Sequence, residues 1–472
     1  MNKKSIAFMK NFSYTLSSNL VSMIISTIVI LVVPKLIGIE DYGYWQLYLF
    51  YSSYVGFLHF GWNDGIYLRY GGKEYKELDK DLFFSQFWML FIFQVLIGVV
   101  IISFSTIIFE NVSRLFIINM TTLCMLIINV RLMLIYILQC TNRIKEYAQI
   151  TIMEKVLYCC MILVLLIAGI RKYEVLIIAD IIGKLITLFY SAYCCREIVF
   201  NKISAFHLNV REIIQNFSVG IKLMFANIAS MFIIGIVRFG IERTWDVTTF
   251  GKVSLTLSIS SLMMIFINAV GVIIFPVLKR ANKDKLAFIY STIRTFLMIP
   301  MLGLLAAYYP IKVILSAWLP QYNESVMFMA LLFPMCVYEG KMSLLINTYL
   351  KTLRKEKLML TINVVSVLLS IIITILFTIV FENLSLIIVS IVGLLAFRCG
   401  LAEMLLSKIL NVSVYKDIFL EMIISLIFIL TSWFIDSWIG VALYLITYGV
   451  YLFYKRKDIK GAMINLKQLV KV

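Results

Sequence analysis

Charge is scarce in this sequence, and so are the residues from which most catalytic and metal sites are built. Of 472 residues 15% are charged, two are histidine and six are proline, while 62% are hydrophobic. A soluble core of this size could not use so much apolar side chain, which makes the chain a polytopic membrane protein. The phosphate loop GxxxxGK[ST] is missing, as are HExxH, GxSxG and the EF-hand pattern. GK pairs such as those at 183, 251 and 340 lack the rest of a phosphate loop, so ATP-driven transport and metallohydrolase chemistry lose support. Eight cysteines (124, 140, 159, 160, 194, 195, 336, 399) form no CxxC and have no histidine at ligand spacing. They read as reduced, apolar side chains, with no metal site, disulfide frame or cofactor expected.

No cleavable signal precedes the first apolar run, which begins near Phe12 after Lys3, Lys4 and Lys10, so the first segment is expected to stay as a helix. Hydropathy gives about fourteen crossings. They span 12 to 37, 42 to 60 or a little beyond, 82 to 108, 115 to 139, 150 to 170, 174 to 193, 217 to 239, 247 to 275, 287 to 309, 325 to 350, 358 to 380, 384 to 408, 417 to 434 and 437 to 454. The formal charge of +17 does not imply nucleic acid, because the basic residues sit in short loops. With both termini cytoplasmic, about 28 Lys and Arg fall on that side and about 5 on the other, as the positive-inside rule expects. The loops are too short for a separate catalytic domain.

An internal repeat organises the chain. Asn11-Phe12-Ser13 recurs as Asn216-Phe217-Ser218, Gly43 opens crossing 2 as Gly251 opens crossing 8, and Thr141-Asn-Arg-Ile-Lys-Glu after crossing 4 matches Thr352-Leu-Arg-Lys-Glu-Lys after crossing 10. The offset drifts slowly from 205 to 211, as two copies with small insertions would give. A unit of six crossings is even, so both copies run the same way: a parallel repeat, whose substrate is expected between the halves. The expected organisation is an N-lobe over 1–193, a cytoplasmic linker over 194–216, a C-lobe over 217–408, and two extra helices with a basic tail over 409–472.

The polar residues inside crossings are the candidates for function, because each is costly in lipid. On crossing 1, Asn11, Thr15, Ser18, Ser22 and Ser26 fall within an arc of ~80° at helical spacing. The matching arc on crossing 7 holds Asn216, Gly220, Asn227 and Arg238, with Lys222 off it. Two such stripes either face a hydrated cavity or glue helices together. Arg131 deep in crossing 4 corresponds to Lys341 deep in crossing 10, an offset of 210. Cations at related positions in two lobes suit a shared phosphate-bearing ligand, and both lie far from their cytoplasmic helix ends for snorkelling. Glu339 is turned to the opposite side of its helix from Lys341, so it is protonated, ion-bound or salt-bridged elsewhere, and it is the candidate for cation coupling. Asp180 and Lys184 have the spacing of a local ion pair. Arg294 and Arg398 are further cavity cations or interfacial anchors. The stretch from His59 to Asp81 carries Asp64 and Arg69 before Gly71-Gly72, which reads as a gate at the cytoplasmic mouth or a solvated helix end.

The NFS start of crossing 1, LIGIEDYGYWQLYLF opening crossing 2, GWNDGIYLRYGGKEY after it, and LQCTNRIKEYAQI between crossings 4 and 5 carry a resemblance. The chain resembles the polysaccharide transporters of the MOP superfamily, and within it the Wzx-type oligosaccharide repeat-unit flippases. The likeness covers essentially the whole chain, including the two extra helices that the multidrug (MATE) branch typically lacks. It implies a MATE-like, all-α fold in a bacterial cytoplasmic (inner) membrane. The implied activity is alternating-access movement of a glycan carried on undecaprenyl pyrophosphate, with Arg and Lys lining the cavity. Coupling to the membrane potential or to Na⁺ or H⁺ is expected, with a glycan polymerase as a candidate partner and no nucleic acid. Lipid II translocation and drug export are the nearest alternatives within the superfamily. A membrane glycan polymerase or ligase is the alternative of another class.

Overall fold

The structure is a computed structural model and describes residues 3–280, 286–435 and 437–470. Among these residues every regular element is helical. The chain divides into two compact units, Met1–Ile228 and Ala229–Val472.

The first unit contains α1 (Lys3–Leu36), α2 (Ile39–Ser52), α3 (Trp62–Tyr70), α4 (Lys80–Ile108), α5 (Val112–Cys140), α6 (Ile144–Ile167), α7 (Tyr173–Cys194), the short α8 (Arg196–Val199) and the first part of α9 (Val210–Thr244). Local sequence sets the ends. The Asp79 side chain accepts from the backbone N–H of Asp81 and Leu82 at 3.1 Å and so caps α4, and Asn111 caps α5 through the Arg114 N–H. Between α2 and α3 the chain turns through Phe60 and Gly61, both with positive φ. Buried side chains such as Trp62, Ile66, Phe83, Phe87, Met133 and Ile137 form one core, and α5 packs against α2, α3, α4 and α7.

The second unit begins within α9 and continues with α10 (Val247–Arg280), α11 (Leu286–Leu304), α12 (Tyr308–Trp318), α13 (Asn323–Leu332), α14 (Met335–Lys341), α15 (Asn347–Thr352), α16 (Glu356–Ile375), α17 (Leu384–Leu410), α18 (Tyr415–Phe434), α19 (Trp438–Tyr454) and α20 (Arg456–Val470). Its neighbour pattern repeats that of the first. Where α2 packs on α5, α4 on α5, α5 on α7 and α6 on α7, here α10 packs on α13 and α14, α11 on α14, α14 on α17 and α16 on α17. Helices α18 to α20 have no counterpart in the first unit and lie against α11, α13 and each other.

Ten helices among the described residues are long and apolar enough to cross a membrane, or twelve if each of two bent pairs counts as one span. Two of the fourteen expected crossings fall outside that number. Within 42 to 60 the helix α2 stops at Ser52 and only a short turn over Val55–Phe57 follows before Gly61 and α3, and 247 to 275 lies in α10, which has the length at 34 residues. The tenth crossing is bent by 46° between Leu332 and Met335. Pro334 stands at that break, where it has no N–H to donate and crowds the preceding turn. Directly after Lys341 the helix widens into a π turn over Met342–Ile346.

Candidate functional site

Each unit buries a network of ionised side chains. In the first unit the Arg131 guanidinium on α5 lies 3.1 Å from the Glu154 carboxylate on α6 and donates to the Thr187 hydroxyl on α7 at 2.6 Å. Thr187 in turn donates to the Lys184 carbonyl. Lys184 pairs with Asp180 as their spacing predicts, and the Tyr48 hydroxyl on α2 donates to the same Asp180 oxygen at 2.5 Å. Two cations thus meet two carboxylates across three helices, and Arg131 is almost wholly buried.

In the second unit Lys341 is 1% exposed, and its ammonium is held by Glu403 on α17 and by Glu421 on α18, the latter at 2.6 Å. Arg294 on α11 joins the same carboxylates: it donates to Glu403 at 2.6 Å, lies 2.8 Å from Glu421 and reaches Asp417 at 3.0 Å. Tyr290 donates to Glu403 at 2.9 Å. Lys455 then bridges Asp417 and Asp458. Glu339 faces away from this cluster and lies 3.1 Å from Arg398, which also donates to Asn363 at 3.0 Å and to Ser230 at 2.8 Å. The structure therefore joins Arg294 with Lys341, and Glu339 with Arg398, as two separate groups.

Other expected site residues lie as follows. Arg238 donates to Ser254 at 3.0 Å and stacks over the Phe250 ring. Asn227 and Lys222 are both exposed, and Ser22 and Ser26 are half-buried. The side chains of Asn11, Thr15 and Ser18 lie outside the described residues. Asp64 is buried with His59 Nε2 3.6 Å from its carboxylate. Arg69 is bound to the start of α9, donating to Glu212 at 2.5 Å, Asn216 at 2.6 Å and Gln215 at 2.7 Å. Beneath these bonds the two backbones touch: a Cβ on Gly65 would overlap the Asn216 backbone, and one on Gly220 would overlap Gly61 and Gly65. Small residues allow membrane helices that approach.

Among the described residues no group of three or more His, Cys, Asp or Glu could hold a metal ion. All eight cysteines are free, and burial pushes the Cys195 thiol up to about 12, so it stays protonated.

Among solved structures the chain is similar to one described as lipid II flippase MurJ in an inward closed conformation. The TM-score is 0.65 at 13% identity, over 96% of this chain and 100% of that one. The chain has the fold of the MOP-superfamily transporters. A second neighbour is an inward-facing multidrug resistance MATE family transporter of the MOP superfamily, with TM-score 0.60 and 10% identity over 82% of this chain and 96% of that one. No family model matches the sequence, and a search of curated proteins finds no match.

Within this MOP-type fold, sequence reasoning missed Glu154, Glu403 and Glu421, the counter-ions of the deep cations. The available signal was the same one that selected Arg131 and Lys341: an ionised residue in an apolar crossing needs a named partner.

Proposed function

We propose that the protein is a flippase that moves an undecaprenyl-pyrophosphate-linked oligosaccharide repeat unit from the cytoplasmic to the outer leaflet of a bacterial inner membrane, for cell-surface polysaccharide synthesis. The observation that carries this reading is the extent of the likeness to a lipid II flippase. The unmatched 4% of this chain is smaller than the stretch from Tyr415 to Val470, so the likeness takes in the C-terminal helices. The match to the MATE transporter covers 82% of this chain. The loop resemblance to Wzx-type flippases supports the glycan class.

In this reading the hydroxyl-rich glycan needs a polar path, while the polyprenyl tail stays in lipid. Among the described residues Arg131 and Arg398 each have one carboxylate within ion-pair distance, at 3.1 Å, which leaves guanidinium N–H donors for a pyrophosphate. With Arg238 they are the proposed headgroup contacts, whereas Arg294 and Lys341 act through the lobe they hold together. Ser22, Ser26 and Asn227 supply neutral polar contacts, and Asp64 and Arg69 form the gate. Glu339, with its side chain 25% exposed, is the proposed ion-coupling carboxylate. Each negative charge moved outward gains about 2.3 kcal/mol per 100 mV when the cytoplasm is negative.

The second reading is lipid II itself as substrate, favoured by the description of the first neighbour. Deleting the gene distinguishes the two. Loss of surface polysaccharide with intact peptidoglycan synthesis is expected; arrest of peptidoglycan synthesis would favour lipid II, and neither change would sink both. In a complemented strain Arg131→Ala is expected to abolish surface glycan with normal protein in the membrane.

A further inference from the structure

The second unit contains a cavity of about 400 Å³, within the range of small-molecule sites, at the end of the bundle where α11 starts, the α17–α18 turn passes and α20 leaves α19. Its ionic wall is balanced: Arg294 and Lys457 stand with Asp417 and Asp458, beside the Ser291 hydroxyl and the Phe288 ring. The carboxylates are fixed in place. Asp417 accepts from Arg294 at 3.0 Å and from Lys455, and Lys455 reaches Asp458 at 2.8 Å. A carboxylate has about four acceptor positions, so both keep capacity for another donor.

A second observation places this cavity at the membrane surface. Helix α20 is bent by 61° from α19 and presents Arg456, Lys457 and Lys460 to solvent. Met463 and Ile464 are more than half exposed. A basic helix with uncovered apolar side chains, turned sharply off a spanning helix, suits the interface between headgroups and acyl chains.

We infer that this cavity binds the headgroup of a zwitterionic phospholipid with a primary ammonium, of the ethanolamine type. The phosphate sits against Lys457, with the Ser291 hydroxyl turning from the Ala287 carbonyl to donate to it, and the ammonium donates to Asp458 and Asp417. An anionic headgroup such as phosphatidylglycerol brings hydroxyls but no cation to the two carboxylates, and a choline headgroup has no N–H to donate. Because Arg294 is shared between this cavity and the buried Lys341 cluster, a lipid seated here braces α20 against α11. The inference needs only the membrane fold and stands apart from the flippase reading.

The test uses the purified full-length protein in detergent. Thermal unfolding and lipid retention in native mass spectrometry are compared for phosphatidylethanolamine, phosphatidylcholine, phosphatidylglycerol and free glycerophosphoethanolamine. The ethanolamine lipid is expected to raise the midpoint and to be retained above the others. Asp458→Asn is expected to weaken its retention about tenfold or more, the worth of one charge-assisted bond, and to erase its advantage over the choline lipid. Lys457→Gln is expected to weaken ethanolamine and choline lipids alike. Equal retention of the two lipids by the wild type, a phosphatidylglycerol effect as large, or full retention by Lys457→Gln would overturn the assignment. Protection by the free headgroup as strong as by the lipid would overturn the lipid as its source.

Discussion

A lysine with almost no exposure is tolerated only where its charge is answered on the spot. Lys341 meets two carboxylates and shares both with Arg294, so four ionised groups on α11, α14, α17 and α18 depend on one another. Removing one member leaves a buried charge alone, whereas removing a pair does not. Lys341→Met is therefore expected to destabilise the protein by about 3–5 kcal/mol, and adding Glu421→Gln to recover part of that. Thermal unfolding of both single variants and the double variant measures the coupling; strictly additive losses would deny the interaction. Transport by Lys341 variants has to be normalised to folded protein. Arg131→Ala is expected to carry a smaller stability penalty, since the Glu154 side chain keeps 19% exposure where Glu403 has 0%. Glu339→Gln is expected to remove the dependence of transport on an ion gradient in vesicles, and an unchanged gradient response would take Glu339 out of that role. Helical spacing alone placed Glu339 on the side away from Lys341, because two residues turn a helix by about 200°. Glu403 and Glu421 were visible as carboxylates within crossings but not legible as buried. They lie nearer the ends of their crossings, where a carboxylate is ordinarily solvated, and only the packing of α17 against α14 and of α18 against α11 and α13 shows them buried.

At the scale of elements, apolar run length marks where helices lie but not where they bend. The tenth crossing reads as one span from 325 to 350, yet it breaks at Pro334 and loosens into a π turn beyond Lys341. Proline was visible in the sequence; whether it kinks or ends a helix depends on what satisfies the freed carbonyls. The contact of α3 with α9 was equally hidden, since Gly61, Gly65 and Gly220 are far apart in the chain and meet only through folding. Gly65→Val is expected to force the two backbones apart at a loss of about 1–3 kcal/mol or more, with Arg69 losing its grip on Glu212. Gly449→Val is the control, because a Cβ at Gly449 meets nothing within 4 Å. Equal thermal shifts for the two variants would deny that close approach matters at Gly65.

At the scale of the whole molecule, four neighbour pairs of the first unit recur in the second, a recurrence that two copies of one unit would give. The added helices had no template in that repeat, and their role emerges only from the side chains they bring. Helix α18 supplies Asp417 and Glu421, and Lys455 at the head of α20 ties Asp417 to Asp458. Truncation after Leu410 would leave Arg294 and Lys341 with Glu403 as their shared carboxylate among the groups described, two cations against one anion. The second unit should then loosen while the first does not, because Arg131, Glu154, Asp180 and Lys184 all lie before Ile228. Hydrogen exchange of the truncated protein in detergent is expected to show lost protection in α11, α14 and α17, with α5 and α7 unchanged. Lys341→Met in the truncated chain is expected to restore part of that protection by matching one cation to one carboxylate. If protection fell equally in both units, or if Lys341→Met gave nothing back, the added helices would be acting through apolar packing alone and not as the acid side of a buried ion cluster.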